Sequence, residues 1–392
     1  MVGTALVTMY GKVCKLNDAQ RTFDSLLERN AVSWTALAAL YANQRQHDVV
    51  LHLFQQMRTE GTLPDKVTYV NVLGSVSSDR MLDSGKRLHA LIHLGGLESD
   101  IMLGNALINM YSQCGSLDDA RTLLFMIPRR DVVSWTTVIV MCMEQGHGSE
   151  ALHLFGQMQD EGVIPDLVCF MATLTACSKN GTLAEGNVIY LCLLNTDFLS
   201  NINVNAALVN MYGKCGSPDD AKRVFDTVLT RDVFLWNTMI AVYGQAEELK
   251  EALHLFEIMQ RENKVLADVV TFVTMLDACA GKVALVEGKI VHTIVFSHGF
   301  EKDVIVCNAA INLYGKCGSL EDAQKMFDSM EQRNVITWTT VIAVYAQHGQ
   351  GKVALQLFSQ MEKEGPTPDA VTFLGLLVAC KHSGLVVEGC QF

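Results

Sequence analysis

The chain has 392 residues, a formal net charge of −12 and nearly half of its residues apolar. That acidic balance argues against a sequence-blind nucleic-acid binder, which carries a basic patch, and leaves room only for a locally basic groove inside an acidic shell. No apolar run reaches the roughly 18–20 residues of a spanning helix, and the start "MVGTALVTMYGK" is neither a signal peptide nor an Arg-rich transit peptide, so a soluble protein with no membrane partner is expected.

Taken in chain order, one line of sequence keeps returning. It is faint at 9–23 ("MYGKVCKLNDAQRTF") and full at 109–125 ("NMYSQCGSLDDARTLLF"). It returns at 210–225 ("NMYGKCGSPDDAKRVF") and at 312–327 ("NLYGKCGSLEDAQKMF"). Trp34, Trp135, Trp236 and Trp338 are the only tryptophans, at steps of 101, 101 and 102 residues, and Tyr10, Tyr111, Tyr212 and Tyr314 keep the same steps. A fixed period is the signature of a repeat architecture.

Each period divides into three helix-turn-helix segments. The segments are 1–30, 31–65 and 66–100; 101–131, 132–166 and 167–200; 201–232, 233–268 and 269–303; then 304–334, 335–369 and a partial 370–392. In 132–166 the first helix carries Trp135, Val138, Ile139 and Cys142 at helical spacing, and the second carries Ala151, Leu152, Phe155 and Met158. Gly146 and Gly148 fall in the turn, and Gly162 with Pro165 closes the second helix. The 167–200 segment turns at Gly181. In 201–232, Gly213 and Gly216 mark the turn region, Ser217 is placed to cap the next helix and Pro218 fits its first position. Asp219 and Asp220 then favour the positive end of the helix dipole. A hairpin of this kind leaves one face apolar until it stacks on neighbours, so the expectation is one all-α domain, a right-handed α-solenoid superhelix of about two dozen helices.

Segments of these lengths in strict rotation resemble the pentatricopeptide repeat (PPR) proteins of the PLS subclass. "NALINMYSQCGSLDDARTLLFMIPRRD" is similar to the short S type, "VSWTTVIV…EALHLFGQMQDEGVIPD" to the P type, and "VTFVTMLDACAGKVALVEGKIVHTIVFSHGFEKD" to the long L type. The twelve segments then run S, P, L four times, with the last L partial. The resemblance implies binding of single-stranded RNA, one base per readable repeat, by the residue after the first-helix aromatic together with the last residue of the repeat. Here those pairs are Thr4 with Asn30, Thr35 with Asp65, Asn105 with Asp131 and Thr136 with Asp166. They continue with Asn205 and Asp232, Asn237 and Asp268, Asn308 and Asn334, then Thr339 and Asp369.

The chemistry of such pairs is separable from the resemblance. Aspartate only accepts hydrogen bonds, which suits the ring N–H of guanine and uracil; asparagine also donates, which suits the bare ring nitrogen of adenine or cytosine. Thr is short and leaves room for a purine, whereas Asn reaches a pyrimidine. Val70, Met171, Val273 and Leu374 hold the reading position of the L segments and cannot bond a base edge, so the expected target is 5′-A G n U G n U U n Y G-3′. Val32, Val133, Phe234 and Ile336 would pack against base faces. Lys12, Lys214 and Lys316 would supply the groove's positive charge. Equally, Thr and Asn near a helix start are ordinary caps, and Asp or Asn between helices is ordinary turn chemistry.

No catalysis is expected. Many PLS proteins specify cytidine-to-uridine editing in plant organelles, and some carry a zinc deaminase that needs H-x-E and C-x-x-C. None of the eleven histidines begins H-x-E, no C-x-x-C occurs among the twelve cysteines, and the chain stops inside an L-type repeat before any such extension. The cysteines, such as Cys177 and Cys279, read as small buried thiols of a reducing compartment. His89 and His93 have i, i+4 spacing but read as packing residues, and no Walker-type loop or Ser/His/Asp arrangement is present, so neither metal nor cofactor is expected. The resemblance implies a mitochondrial or plastid RNA-editing specificity factor whose deaminase acts in trans. An RNA stabilisation or processing factor and a helical peptide-binding scaffold are the alternatives.

Overall fold

The computed structural model describes residues 5–7, 9–10, 15–97, 99–262 and 265–385, and among these all regular structure is helical. They form two compact units, residues 1–180 and 181–392, whose boundary falls between the two helices of the 167–200 segment. In the first unit the first helices of successive segments pack each on the next: Ala31–Asn43, Lys66–Leu73, Ile101–Gln113, Val132–Glu144 and Leu167–Asn180. In the second unit Ile202–Lys214, Val233–Gln245, Val269–Gly281, Val304–Lys316, Val335–Gln347 and Ala370–Ser383 do the same. Within each unit a second helix, Gly148–Asp160 for example, wedges against its own first helix and the first helix of the following segment. Within both units this is the stacked-hairpin, all-α solenoid class expected from the period. Among the described residues no helix is long and apolar enough to cross a membrane.

The period has a physical basis at the junction between one segment and the next. All four tryptophans are buried, and each takes the edge of a phenylalanine from the preceding helix: Phe23–Trp34, Phe125–Trp135, Phe225–Trp236 and Phe327–Trp338, with centroids 4.7, 6.1, 4.9 and 4.8 Å apart. Over each pair lies a guanidinium, that of Arg29, Arg130, Arg231 or Arg333. Three of these arginines are held from the far side by a carboxylate, Glu60, Glu161 and Glu364. Arg231 has Asp226 as its carboxylate, at 4.0 Å, and donates to the Phe225 carbonyl at 3.1 Å, as Arg333 does to the Phe327 carbonyl at 3.2 Å. Cation–π contacts of this kind contribute about 0.5–1 kcal/mol each, and more when desolvated.

Two of the turn expectations change. Gly146 and Gly216 sit in the left-handed region (φ +83° and +74°), as turn glycines should, but Gly213 lies inside the helix Ile202–Lys214. A Cβ there would meet Val242 Cγ2 at 2.3 Å, so that glycine serves close helix approach. Ser217 does not cap its helix through its side chain. Its hydroxyl donates to Asp220 Oδ2 at 2.5 Å, a charged acceptor within reach, and Ser116 and Ser319 do the same to Asp119 and Asp322 at 2.7 Å. Pro218 does hold the first turn of that helix.

Candidate nucleic-acid interface

A first helix needs its leading N–H groups satisfied, and the residue just before it supplies the acceptor. That residue is the last one of the preceding segment. Asn30, Asp65, Asp131, Asp166, Asp232, Asp268, Asn334 and Asp369 each accept the backbone N–H three residues on, at 2.8–3.0 Å. The structural reading of these positions is therefore correct. It does not use the whole side chain. In every case the cap is made by Oδ1. For Asp65, Asp166, Asp232, Asp268 and Asp369 the second oxygen has no hydrogen-bond partner among the described residues. For Asn30 and Asn334 the atom left over is the Nδ2 donor. Capping thus fixes which end of the side chain points away from the helix: an acceptor where the residue is Asp, a donor where it is Asn.

The reading-position residues meet these caps in three ways. Asn105 Nδ2 donates to both carboxylate oxygens of Asp131 at 3.0 Å, Thr136 Oγ1 to Asp166 at 3.1 Å, and Asn237 Nδ2 to Asp268 at 3.0 Å. Thr35 and Thr339 reach their aspartates through one intermediate hydroxyl. Thr35 lies 2.7 Å from Thr68 and Thr339 2.7 Å from Thr372, and each of those partners sits 2.8 Å from Asp65 or Asp369. Thr68, Thr271 and Thr372 are the third residues of their helices; Cys169 stands at that place after Asp166, and there the contact is direct. Sequence reasoning missed these linking threonines, although their fixed place three residues after each cap is the capping-box pattern.

Two expected pairs are not brought together. Asn205 does not reach Asp232; its amide donates to the carbonyls of Leu199 and Asn201 at 2.8 and 3.2 Å. The cause is phase. Asn105 and Asn308 lie six residues before Tyr111 and Tyr314, but Asn205 lies seven before Tyr212, so the matching residue is Ala206. Cys307, which shares the phase of Asn205, likewise turns its thiol to the Glu301 carbonyl at 3.3 Å. Asn308 makes no hydrogen bond to Asn334, and its Oδ1 is buried without a partner. Thr4 and Lys12 lie outside the described residues.

In the second unit these side chains line one groove of about 490 Å³, formed by Val273, Asn308, Ile336, Thr339 and Asp369 with Ile305, Val371 and Lys316 among the walls. The apolar residues expected against base faces stand open at the helix starts: Val32, Val133, Phe234 and Ile336 are 52–62% exposed. Val67, Val168, Val270, Ile305 and Val371 hold the same place in other segments and are also exposed. Of the reading positions in L segments, Val70, Met171 and Val273 are half-buried and Leu374 is open. Lys214 is exposed on its helix.

Two caps carry a resolved electrostatic signature. Burial pushes the Asp268 carboxyl up, but the Thr271 backbone N–H, the Asn237 amide and the Thr271 hydroxyl outweigh it and hold the group below the usual carboxylate range. At Asp369 the Thr372 backbone N–H leads, with the Thr372 hydroxyl behind it, and the shift is again downward. Both groups are ionised acceptors at neutral pH. His89, by contrast, packs as expected: its Nδ1 lies 2.8 Å from the Tyr111 hydroxyl, and His292 repeats the contact with Tyr314 at 2.6 Å. Among the described residues no cluster of three potential metal ligands occurs.

Models of the PPR repeat family match residues 130–179, 231–281 and 333–382, models of the PPR repeat match 105–132, 207–233 and 305–335, and a pentatricopeptide repeat domain model matches 27–78. The chain belongs to the pentatricopeptide repeat family. A chloroplastic PPR-containing protein of Arabidopsis thaliana is 36% identical over 388 residues, covering 99% of this chain and 48% of that protein. A mitochondrial one is 31% identical over 412 residues, covering 100% of this chain and 45% of its own length. This PPR chain thus spans about half the length of these two relatives. Among solved structures, the PPR protein PPR10 in complex with an 18-nucleotide psaJ RNA element superposes with a TM-score of 0.70 at 20% identity, over 99% of this chain and 59% of that one. Another structure, of PPR10 from maize, gives 0.62 at 20% identity, over 100% of this chain and 57% of that one. These likenesses establish the fold.

Proposed function

We propose that this PPR array binds single-stranded RNA in a sequence-selective way, one base per readable repeat, and so specifies a site for organellar RNA modification with the deaminase supplied elsewhere. One observation carries the reading: caps such as Asp65, Asp166, Asp268 and Asp369 spend Oδ1 on the helix and leave an acceptor near a Thr or Asn, with open apolar residues at the same helix starts. Edge chemistry plus an apolar face is what an unstacked base requires. A solvated turn would need neither. The complex of PPR10 with RNA supports the same reading by fold. The S, P, L order supports the editing subclass, and the chloroplastic and mitochondrial relatives support an organellar site of action.

With the seventh base left open, the expected pairs give the target 5′-A G n U G n n U n Y G-3′, in which the tenth letter rests on Asn308 and Asn334 without a contact between them. Its first letter rests on Thr4 and its seventh is left open because Ala206 offers a base edge nothing. Fluorescence anisotropy with this 11-nucleotide RNA, against one with purines and pyrimidines exchanged, tests it at two salt concentrations. A preference of tenfold or more, about 1.4 kcal/mol, is expected. Asn237→Thr should move preference at the eighth base from U toward G. Equal binding of both strands, or none, would overturn base reading and favour a peptide-binding scaffold.

A further inference from the structure

The groove of the second unit contains one group that base reading does not use. Asp277 lies one helical turn beyond Val273, and Asn312 and Lys316 lie one and two turns beyond Asn308, so the three line the groove wall below the row of reading positions. They stand on two adjacent helices, Val269–Gly281 and Val304–Lys316, which are packed together. Asp277 stands exposed at the groove, but partial desolvation by the wall raises its carboxyl above its ordinary range, while the Lys316 charge and the Asn312 amide act against the rise. Of the groove-lining side chains only Asp277, Lys316 and Asp369 carry charge. Asp369 is already committed to capping its helix.

The repeats make Asp277 an exception. In the preceding two copies its place is held by Gly74 and Thr175, whereas Asn312 recurs as Asn109 and Asn210, and Lys316 as Gln113 and Lys214. A cation beneath a row of base-reading groups is where a phosphate is met, and each phosphate neutralised adds to the salt dependence of binding. A carboxylate on the same wall lowers the positive potential around that cation and repels the incoming phosphate.

We propose that Asp277 is an internal counter-anion of Lys316: it competes with an RNA phosphate for that lysine and so weakens binding at this repeat and flattens its salt dependence. The proposal rests on the RNA-binding reading above and adds to it an affinity-setting residue that touches no base.

The test uses the full chain and the 11-nucleotide RNA, with anisotropy at a series of salt concentrations for the wild type, Asp277→Asn, Asp277→Thr, Lys316→Gln and the Asp277→Asn/Lys316→Gln pair. Asp277→Thr places there the residue found in the second copy, and circular dichroism checks that each variant is folded. Removing the carboxylate should tighten binding roughly fivefold near 0.1 M salt and steepen the log–log slope by roughly 0.7, the share of one phosphate on a single strand. In the Lys316→Gln background the gain should vanish, since the two side chains act as one unit. A gain of equal size with and without Lys316 would reduce Asp277 to a general charge effect and overturn the proposal. So would a wild type that discriminates between strands while both Asp277 variants bind as it does. A wild type that binds neither strand would sink the RNA reading itself, an outcome distinct from these.

Discussion

The segments 101–131 and 201–232 share a line of sequence, a phenylalanine set against the next segment's buried tryptophan beneath an arginine, and an asparagine near the start of the first helix. Only one of the two asparagines meets the last residue of its segment. Asn105 reaches Asp131, while Asn205 turns to the carbonyls of Leu199 and Asn201. One residue of phase on an α-helix rotates a side chain by about 100°, so a residue type carries a role only together with its distance from the repeat's fixed points. The same pair of repeats differs at a second register position. Ser112 in the first corresponds to Gly213 in the second, and their facing residues are the flexible Met141 and the β-branched Val242.

The strongest way to break this comparison is to remove what the two repeats have in common. Trp236→Ala empties the Phe225–Arg231 stack and should cost about 3–5 kcal/mol, read by chemical denaturation; a loss below about 1 kcal/mol would mean that the shared stack does not anchor the junction. Next in size, Gly213→Ser forces a side chain onto Val242 and should cost about 1–3 kcal/mol, a penalty that Val242→Met should relieve by restoring the pairing of the first repeat. Failure of the rescue would assign the cost to the helix backbone. The comparison sharpens at the level of binding with Asn205→Gly/Ala206→Asn, which copies Gly104–Asn105. It should create a preference for U at the seventh base of about tenfold, near 1.4 kcal/mol, measured by anisotropy with four oligonucleotides that differ only there. Asn205→Ala alone should leave that base unread.

The smallest effect is one of pH. The Asp268 and Asp369 carboxyls are depressed in the folded protein, so their contribution is complete above the ordinary carboxylate value and is lost as acid carries the pH down through the lower folded values. Thermal melts below about pH 4 should therefore show a steeper loss in the wild type than in Asp268→Asn, which keeps a capping oxygen and does not titrate. Parallel curves would remove Asp268 from the acid response.

The recurring Trp and Tyr made the repeat boundaries and the all-helical class legible, because burial of large aromatics dictates the period. The caps were legible too, since Asp or Asn before an apolar helix has one dominant structural use. The arginine stacks were not noticed, although Arg29, Arg130, Arg231 and Arg333 keep the tryptophans' own steps of 101, 101 and 102 residues; the signal was present but its partner, the Phe–Trp edge, exists only in three dimensions. Asn205 was misplaced because its identity matched while its phase did not, and counting back from Tyr212 would have found Ala206. The intervening Thr68 and Thr372 could not be weighed, because a hydroxyl three residues past a cap satisfies local backbone whether or not it also touches a neighbouring segment.

The double duty of the capping side chain constrains how such an array can be rewritten. Its last-position alphabet is confined to residues that can both begin a helix and show a distinct atom to the outside, so Asp and Asn are interchangeable letters while Leu or Lys is a folding defect before it is a spelling error. Changing the message at that place always edits the architecture as well, and the letter at the other position, set within an already formed helix, is the one that can vary more freely.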